Sequence, residues 1–238
     1  MQKSAKRPAG SKRPSTNSPK SSGRPPKVQD QKSLALGRLF LIDGSALAYR
    51  SHFAFIRKPL FNSKGENTSA VFGFTRSLLK IIDDERPEYL AVVFDTPEPT
   101  FRHKKFAAYK ATRERMPAEL VEQLPRIVAV AEALGVPILQ YPGFEADDVM
   151  ATLAQRAAAQ NLEVLLVTGD KDLMQLIGPS IKMLRFTSAA GQEDGMELID
   201  ADAVREKMGV PPSKIIDFLG LRGDTSDNVP GVPGVGEV

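Results

Sequence analysis

No cysteine occurs among the 238 residues, and histidine occurs only twice. The missing cysteine excludes a disulfide framework, a thiolate zinc site, an iron–sulfur cluster and a cysteine nucleophile, and fits a reducing, intracellular setting. No apolar run approaches the roughly 20 residues needed to span a bilayer, and the N-terminus lacks the apolar stretch of a secretory signal. Neither a membrane protein nor a protein exported by such a signal is expected.

What is present divides by charge. Residues 1–33 hold nine Lys and Arg against one acid, Asp30, a balance of +8; the rest holds 23 basic and 28 acidic residues, a balance of −5. The overall charge of +3 and the pI near 9.0 therefore belong to the tail. That tail is Lys, Arg, Pro and Ser with almost nothing to bury, so it cannot offset the entropy of ordering and is predicted to be disordered. It would serve as a non-specific polyanion contact, an organelle address or a solvated linker. Residues 34–238 are predicted to form one folded domain, since the chain's 42% apolar content suffices for a buried core.

From Arg38 onward, apolar strands alternate with helical patterns. Residues 38–42 (RLFLI), 89–94 (YLAVVF), 136–139 and 163–168 (EVLLVT) read as buried strands, with weaker ones at 181–185 and 196–199. Helical spacing predicts helices over 68–82, with Thr68 or Ser69 as N-cap, and over 117–134 and 145–160. A short helix follows Lys171, and two more cover 200–207 and 212–219. The pattern predicts an α/β fold with a mostly parallel central sheet flanked by helices, whose functional crevice lies beyond the carboxyl ends of the strands.

Three of these strands end on an aspartate: Asp43, Asp95 and Asp170. More acids gather nearby in sequence: Glu145, Asp147 and Asp148 at a helix start, Asp172 two residues past Asp170, and Asp224 and Asp227 on a polar loop. One carboxylate suffices to cap a helix, and so many anions in one crevice would repel severely unless cations neutralised them. All-oxygen donors without clustered His or Cys select hard ions, Mg²⁺ or Mn²⁺. Two such ions about 4 Å apart are the usual device for hydrolysing a phosphodiester. Residues 101–115 carry the opposite charge, six Lys and Arg interleaved with Phe101, Phe106 and Tyr109, as a single-stranded backbone with stackable bases requires. Near the end, the Gly/Pro run with Gly231, Gly234 and Gly236 offers backbone N–H groups for a phosphate. No glycine fingerprint or Walker loop follows the first strand, and Ser45 breaks the Asp-x-Asp of a haloacid-dehalogenase-like phosphatase.

Taken together, LIDG at 41–44, VVFD at 92–95, Phe101-Arg102 with Tyr109-Lys110 and Arg113, EADD at 145–148, TGDKD at 168–172, and GDTSDN at 223–228 with Pro230-Gly231 resemble the 5′-3′ exonuclease domain of bacterial DNA polymerase I, and more broadly the flap endonuclease family. The resemblance implies a PIN-like 5′ nuclease fold with a helical arch and a C-terminal helix-hairpin-helix that begins about residue 212. It implies a 5′ nuclease acting on DNA with 5′ flaps or ends and on RNA–DNA primers, a monomer in the bacterial cytoplasm associated with the nucleoid, with a polymerase domain in the full-length protein. Carried over by position, one metal falls to Asp43, Asp95, Glu145 and Asp147, and the second to Asp148, Asp170, Asp172, Asp224 and Asp227, partly through water. Lys110 and Arg113 would act catalytically from the arch on the scissile phosphate. Arg102, Phe106 and Tyr109 would guide the unpaired strand, Lys104 and Lys105 would bind it, and Gly231, Gly234 and Gly236 would approach duplex phosphates. The family continues from Gly-Val-Gly-Glu into Lys-Thr-Ala and a helix that supports a K⁺-assisted grip on the duplex, whereas this sequence stops at Glu237-Val238. A catalytically silent module that binds branched DNA is therefore the competing reading.

Overall fold

The computed structural model describes residues 36–187 and 195–236. The basic tail, with the boundary drawn at its end, and the final Glu237 and Val238 lie outside the described residues. The first strand, β1 (Arg38–Asp43), has neighbours on both sides: β2 (Tyr89–Val93) on one and β4 (Glu163–Val167) on the other, both parallel to it. The sheet extends to β3 (Ile138–Leu139) at one edge, and through β5 (Ile181–Thr187) to the antiparallel β6 (Gly195–Ile199) at the other. The order is β3-β2-β1-β4-β5-β6. The chain leaves β1 toward one edge and returns to β4 on its other side, which opens a crevice at the carboxyl ends of β1 and β4.

Both faces of the sheet are covered, which explains the unbroken apolar runs of its strands. Successive side chains point to opposite faces. Phe40 and Ile42 join Leu47, Phe74, Leu78 and Ile127 in one core, whereas Leu41 and Val93 join Met150, Ala154, Val204 and Ile215 in the other. The first core lies under α1 (Gly44–Ala54), α2 (Ser69–Glu85), α4 (Ala118–Val121) and α5 (Leu124–Ala133). The second lies under α6 (Ala146–Ala159), α7 (Ala201–Met208) and α8 (Ile215–Arg222).

Sequence periodicity passed over α1, whose apolar residues do not gather on one face. Its start is set locally: the Asp43 carboxylate accepts from the Ala46 N–H at 2.8 Å. Gly44 is needed there for space, because a Cβ would lie 2.7 Å from the Phe94 ring and from Val92. The helix expected over 117–134 is broken at Glu122 and Gln123, just ahead of Pro125. Gln123 is buried, and its Oε1 accepts from Ala70 N at 2.9 Å and Val71 N at 3.3 Å, while its Nε2 donates to the Glu119 carbonyl. It thereby caps α2, for which Thr68 provides no side-chain cap. Gln123→Ala should cost about 1–3 kcal/mol of stability in denaturant unfolding, the desolvation cost of the donors it strands; an unchanged midpoint would remove Gln123 from the cap.

The basic segment is helical only at its start. The helix α3 (Phe101–Lys105) is five residues long, and turns run through Thr112. Lys110 adopts φ +54, and its N–H donates to the Asp227 carbonyl at 2.9 Å instead of to a helical partner. At the C-terminal side, a 3₁₀ turn (Pro212–Lys214) leads into α8, and β7 (Gly223–Asp224) pairs antiparallel with β8 (Val229–Pro230). Gly231 lies across this ladder so closely that a Cβ would run into the Arg222 carbonyl. Its role there is close backbone packing.

Candidate functional site

The strand-end aspartates are placed by backbone and hydroxyl contacts. Asp43, the last residue of β1, accepts through its second oxygen from the Thr168 hydroxyl at 3.0 Å, and that hydroxyl oxygen accepts from the Asp170 N–H at 3.1 Å. One buried threonine thus ties the ends of β1 and β4 together. Asp95 follows β2; its N–H donates to Ser45 Oγ at 3.2 Å, and its carboxylate accepts from the Ala146 N–H at 2.9 Å, at the start of α6. Asp170 accepts from the Asp172 N–H at 2.8 Å, which turns the chain into a 3₁₀ helix (Lys171–Leu176). Thr168 and Lys171 stand inside the sequence motifs and Ser45 directly after one, yet none of the three is assigned a part in the site from sequence. A hydroxyl's positioning role leaves no periodic signal.

A cleft of about 470 Å³ is lined by Glu145, Asp147, Asp172, Asp224 and Asp227 on the acidic side and by Arg102, Lys105, Phe106 and Tyr109 on the other; the strand-end aspartates connect to it through the Asp95–Ala146 and Asp170–Asp172 contacts. Burial is the largest influence on the deep acids. It lifts Asp43 to about 6, with further upward pushes from Asp95 and Asp170. It lifts Asp147 to about 7, with Asp170, Glu145 and Asp43 adding to the rise. Asp172 rises to about 6 from burial and then Asp170, and its buried Oδ1 has no hydrogen-bond partner. At the rim, burial of Asp224 is outweighed by hydrogen bonds from Lys171, 2.8 Å away, and Ser226, so it falls to about 2.

The basic segment is folded down into this cleft. Arg102 donates a fork to Asp148 at 2.7 and 2.8 Å, which holds that carboxyl below its usual range despite its burial. Lys110 Nζ lies 2.9 Å from Glu145 and 3.8 Å from Asp227. The Tyr109 hydroxyl lies 2.9 Å from both Glu145 and Asp227, its one proton shared between them, and burial pushes the phenol well above its ordinary value. Asn228 Nδ2 donates to the Ala108 carbonyl at 2.8 Å, binding the turn to the C-terminal loop.

Several expectations change accordingly. Tyr109, expected to guide an unpaired strand, is only 7% exposed, so its ring is closed to a base. Arg102, given the same task, is engaged with Asp148. Lys110 reaches the acids from a left-handed turn, not from a helix. Phe106 and Lys105 are exposed and line the cleft, Lys104 is exposed, and Arg113 is exposed with no carboxylate among its described contacts. Gly234 turns at φ +81, and Gly236 is open to solvent. Among the described residues, no three of the acids converge closely enough to chelate an ion as they stand.

Residues 38–209 match the family model described as the 5′-3′ exonuclease N-terminal resolvase-like domain. DNA polymerase I of Treponema pallidum (strain Nichols) is 44% identical over 198 residues, covering 83% of this chain and 20% of that protein. A 5′-3′ exonuclease of Aquifex aeolicus (strain VF5) is 42% identical over 198 residues, covering 83% of this chain and 65% of its own length. The chain thus spans about a fifth of the length of such polymerases. Among solved structures, T5 5′-exonuclease with bound zinc superposes with a TM-score of 0.69 at 20% identity, over 84% of this chain and 71% of that one. This likeness shows that the fold is shared.

Proposed function

Because the chain belongs to the 5′-3′ exonuclease family, we propose that it is a divalent-metal-dependent nuclease that hydrolyses phosphodiesters at 5′ ends and 5′ flaps of DNA and at RNA–DNA primers, within a longer polymerase-bearing protein. The observation that carries this reading is the joining, in one cleft, of Glu145, Asp147, Asp172, Asp224 and Asp227 with a docked basic segment.

The donor set fits hard cations. It is all oxygen, burial and mutual repulsion raise three of its members, and the Asp172 oxygen is buried without a partner. The proposed ligands are Asp43, Asp95, Glu145 and Asp147 for one ion, and Asp148, Asp170, Asp172, Asp224 and Asp227 for a second, with Mg²⁺ the preferred ion and Mn²⁺ the substitute. Bound there, the ions would supply Lewis acidity at the scissile phosphodiester. The chain's own residues do the rest. Thr168 and the Ala46 N–H hold the Asp43 carboxylate in one orientation, and the Ala146 N–H holds Asp95. Lys110, once Glu145 is otherwise neutralised, has an ammonium free to meet a phosphate oxygen. Lys104, Lys105 and Arg113 supply sequence-independent phosphate contacts, and the glycines at 231–236 carry the start of a duplex grip.

The direction of attack tests the reading. A duplex with a 5′ flap, labelled at its 5′ end, should lose label as short fragments in Mg²⁺, while a 3′-flapped control persists; preferential loss from the 3′ flap would reject it.

The raised acids make a second test. A carboxyl lifted above its unfolded value binds protons preferentially in the folded state, so its stabilisation is complete below about pH 4 and is lost as pH rises through 6 to 7. Asp224, which is lowered, loses its contribution only below about pH 4, outside that window. In chelator, the thermal midpoint should therefore fall by about 5 °C or more between pH 5 and pH 8. Mg²⁺ should restore more of it at pH 8 than at pH 5, because the ion needs ionised ligands. Equal metal effects at both pH values would contradict the assignment of these acids.

A further inference from the structure

Three aromatic rings gather at the rim beside the acidic cleft, all of them open to water. Tyr141 is 61% exposed, Phe144 44% and Phe101 38%. They pack ring against ring, Tyr141 on Phe144 at 5.5 Å and 67°, and Phe144 on Phe101 at 5.9 Å and 55°. A contiguous apolar patch left in water marks a binding surface more often than scattered single side chains do.

The sequence builds the pair locally. Tyr141, Pro142, Gly143 and Phe144 form a turn in which the Phe144 N–H donates to the Tyr141 carbonyl at 3.2 Å, with Pro142 second and Gly143 third at φ +82. That is the type II pattern, which needs glycine in the third place and brings the first and fourth side chains together. The next residue is Glu145, so Phe144 stands one position from a cleft acid. Phe101 is tied to the same place: the Arg102 guanidinium lies 4.6 Å over its ring and also forks onto Asp148, and Lys105 Nζ lies 5.6 Å over the ring.

We propose that Tyr141 and Phe144, propped by Phe101, are a stacking platform for an unpaired nucleobase of the strand that enters the cleft. This rests on the nuclease reading. Bare rings beside the cations of Arg102 and Lys105 match a ligand that is flat and aromatic on one edge and anionic along the other. Arg102 and Lys105 over Phe101, and Glu145 next to Phe144, line the cleft, which gives that ligand its direction. Stacking accepts any base, because every base has a π-face. It also takes over the task that burial denies to Tyr109.

The test uses the full chain in chelator at low salt with a 5′-flapped duplex, carrying 2-aminopurine at successive positions of the unpaired arm. Stacking quenches its fluorescence. Binding of the unsubstituted protein should quench one arm position nearest the junction. Tyr141→Ala with Phe144→Ala should abolish the quench and weaken binding about tenfold or more, with an unchanged circular dichroism spectrum, and Tyr141→Phe should restore both. A quench that survives the double alanine variant overturns the platform, as does equal loss in Tyr141→Phe, which would assign the contact to the hydroxyl. Binding without a quench at any arm position, by a protein that cleaves the same duplex from its 5′ side once Mg²⁺ is added, overturns the platform and leaves the nuclease reading standing. Failure to bind in chelator together with failure to cleave in Mg²⁺ overturns both.

Discussion

Asp147→Asn should lower turnover on a 5′-flapped duplex by about a thousandfold or more, while raising the thermal midpoint of the metal-free protein. The two effects have opposite signs for one reason. Asp147 lies where burial and the charges of Asp170, Glu145 and Asp43 all disfavour its anion, lifting it to about 7. An uncharged amide of the same shape removes that repulsion, so the fold gains. It also removes an anionic donor from the proposed ion, and the loss of several kcal/mol of charge stabilisation corresponds to three or more decades in rate. Steady-state cleavage and a thermal scan in chelator, run on the same preparation, check both halves. A variant that keeps wild-type turnover would take Asp147 out of the ion's ligands, and one that lost activity only by unfolding would show a lowered midpoint.

Lys110→Ala should cut kcat by about 10²- to 10³-fold with little change in KM, the size expected for removing one donor aimed at developing charge. The geometry separates Lys110 from the other cations of its segment. Its Nζ is inside the acid cluster, 2.9 Å from Glu145, and its backbone is fixed by the Asp227 carbonyl, whereas Lys104 is exposed. Lys104→Ala should therefore leave kcat alone, weaken binding, and reduce the slope of log affinity against log salt by about one. If both variants changed KM alone, the division of labour between them would be wrong.

Much of this architecture was legible in the chain. β1 and β4 announce themselves because burial on both faces removes every polar residue from LFLI and VLLV, and α6 because its caps, Glu145 and Gln160, fall at the ends of its apolar pattern. The acids were legible because they sit where strands stop. The helix α1 was not, since its start depends on a carboxylate, Asp43, whose proposed role is elsewhere. Nor was the break at Gln123, which exists to cap a helix 52 residues away in sequence. Pairings such as Arg102 with Asp148 and Tyr109 with Asp227 join residues 46 and 118 positions apart, and no local pattern encodes them. The aromatic pair at Tyr141 and Phe144 was hidden in a turn, where a Pro-Gly dipeptide reads as punctuation.

The docked basic segment bears on whether the chain is a catalyst or only a binder of branched DNA. Lys110, Tyr109 and Arg102 satisfy acids that the nuclease reading gives to metal ions, so on that reading these acids would have to exchange a basic partner for an ion. The most direct measurement is cleavage of a 5′-labelled flapped duplex by the purified chain, first in chelator and then after Mg²⁺ is added in excess. The nuclease reading predicts no product in chelator and, after addition, short labelled fragments with the new 5′ phosphate on the remaining strand. Cleavage that proceeds equally in chelator, or tight binding that Mg²⁺ never converts into product, would contradict it.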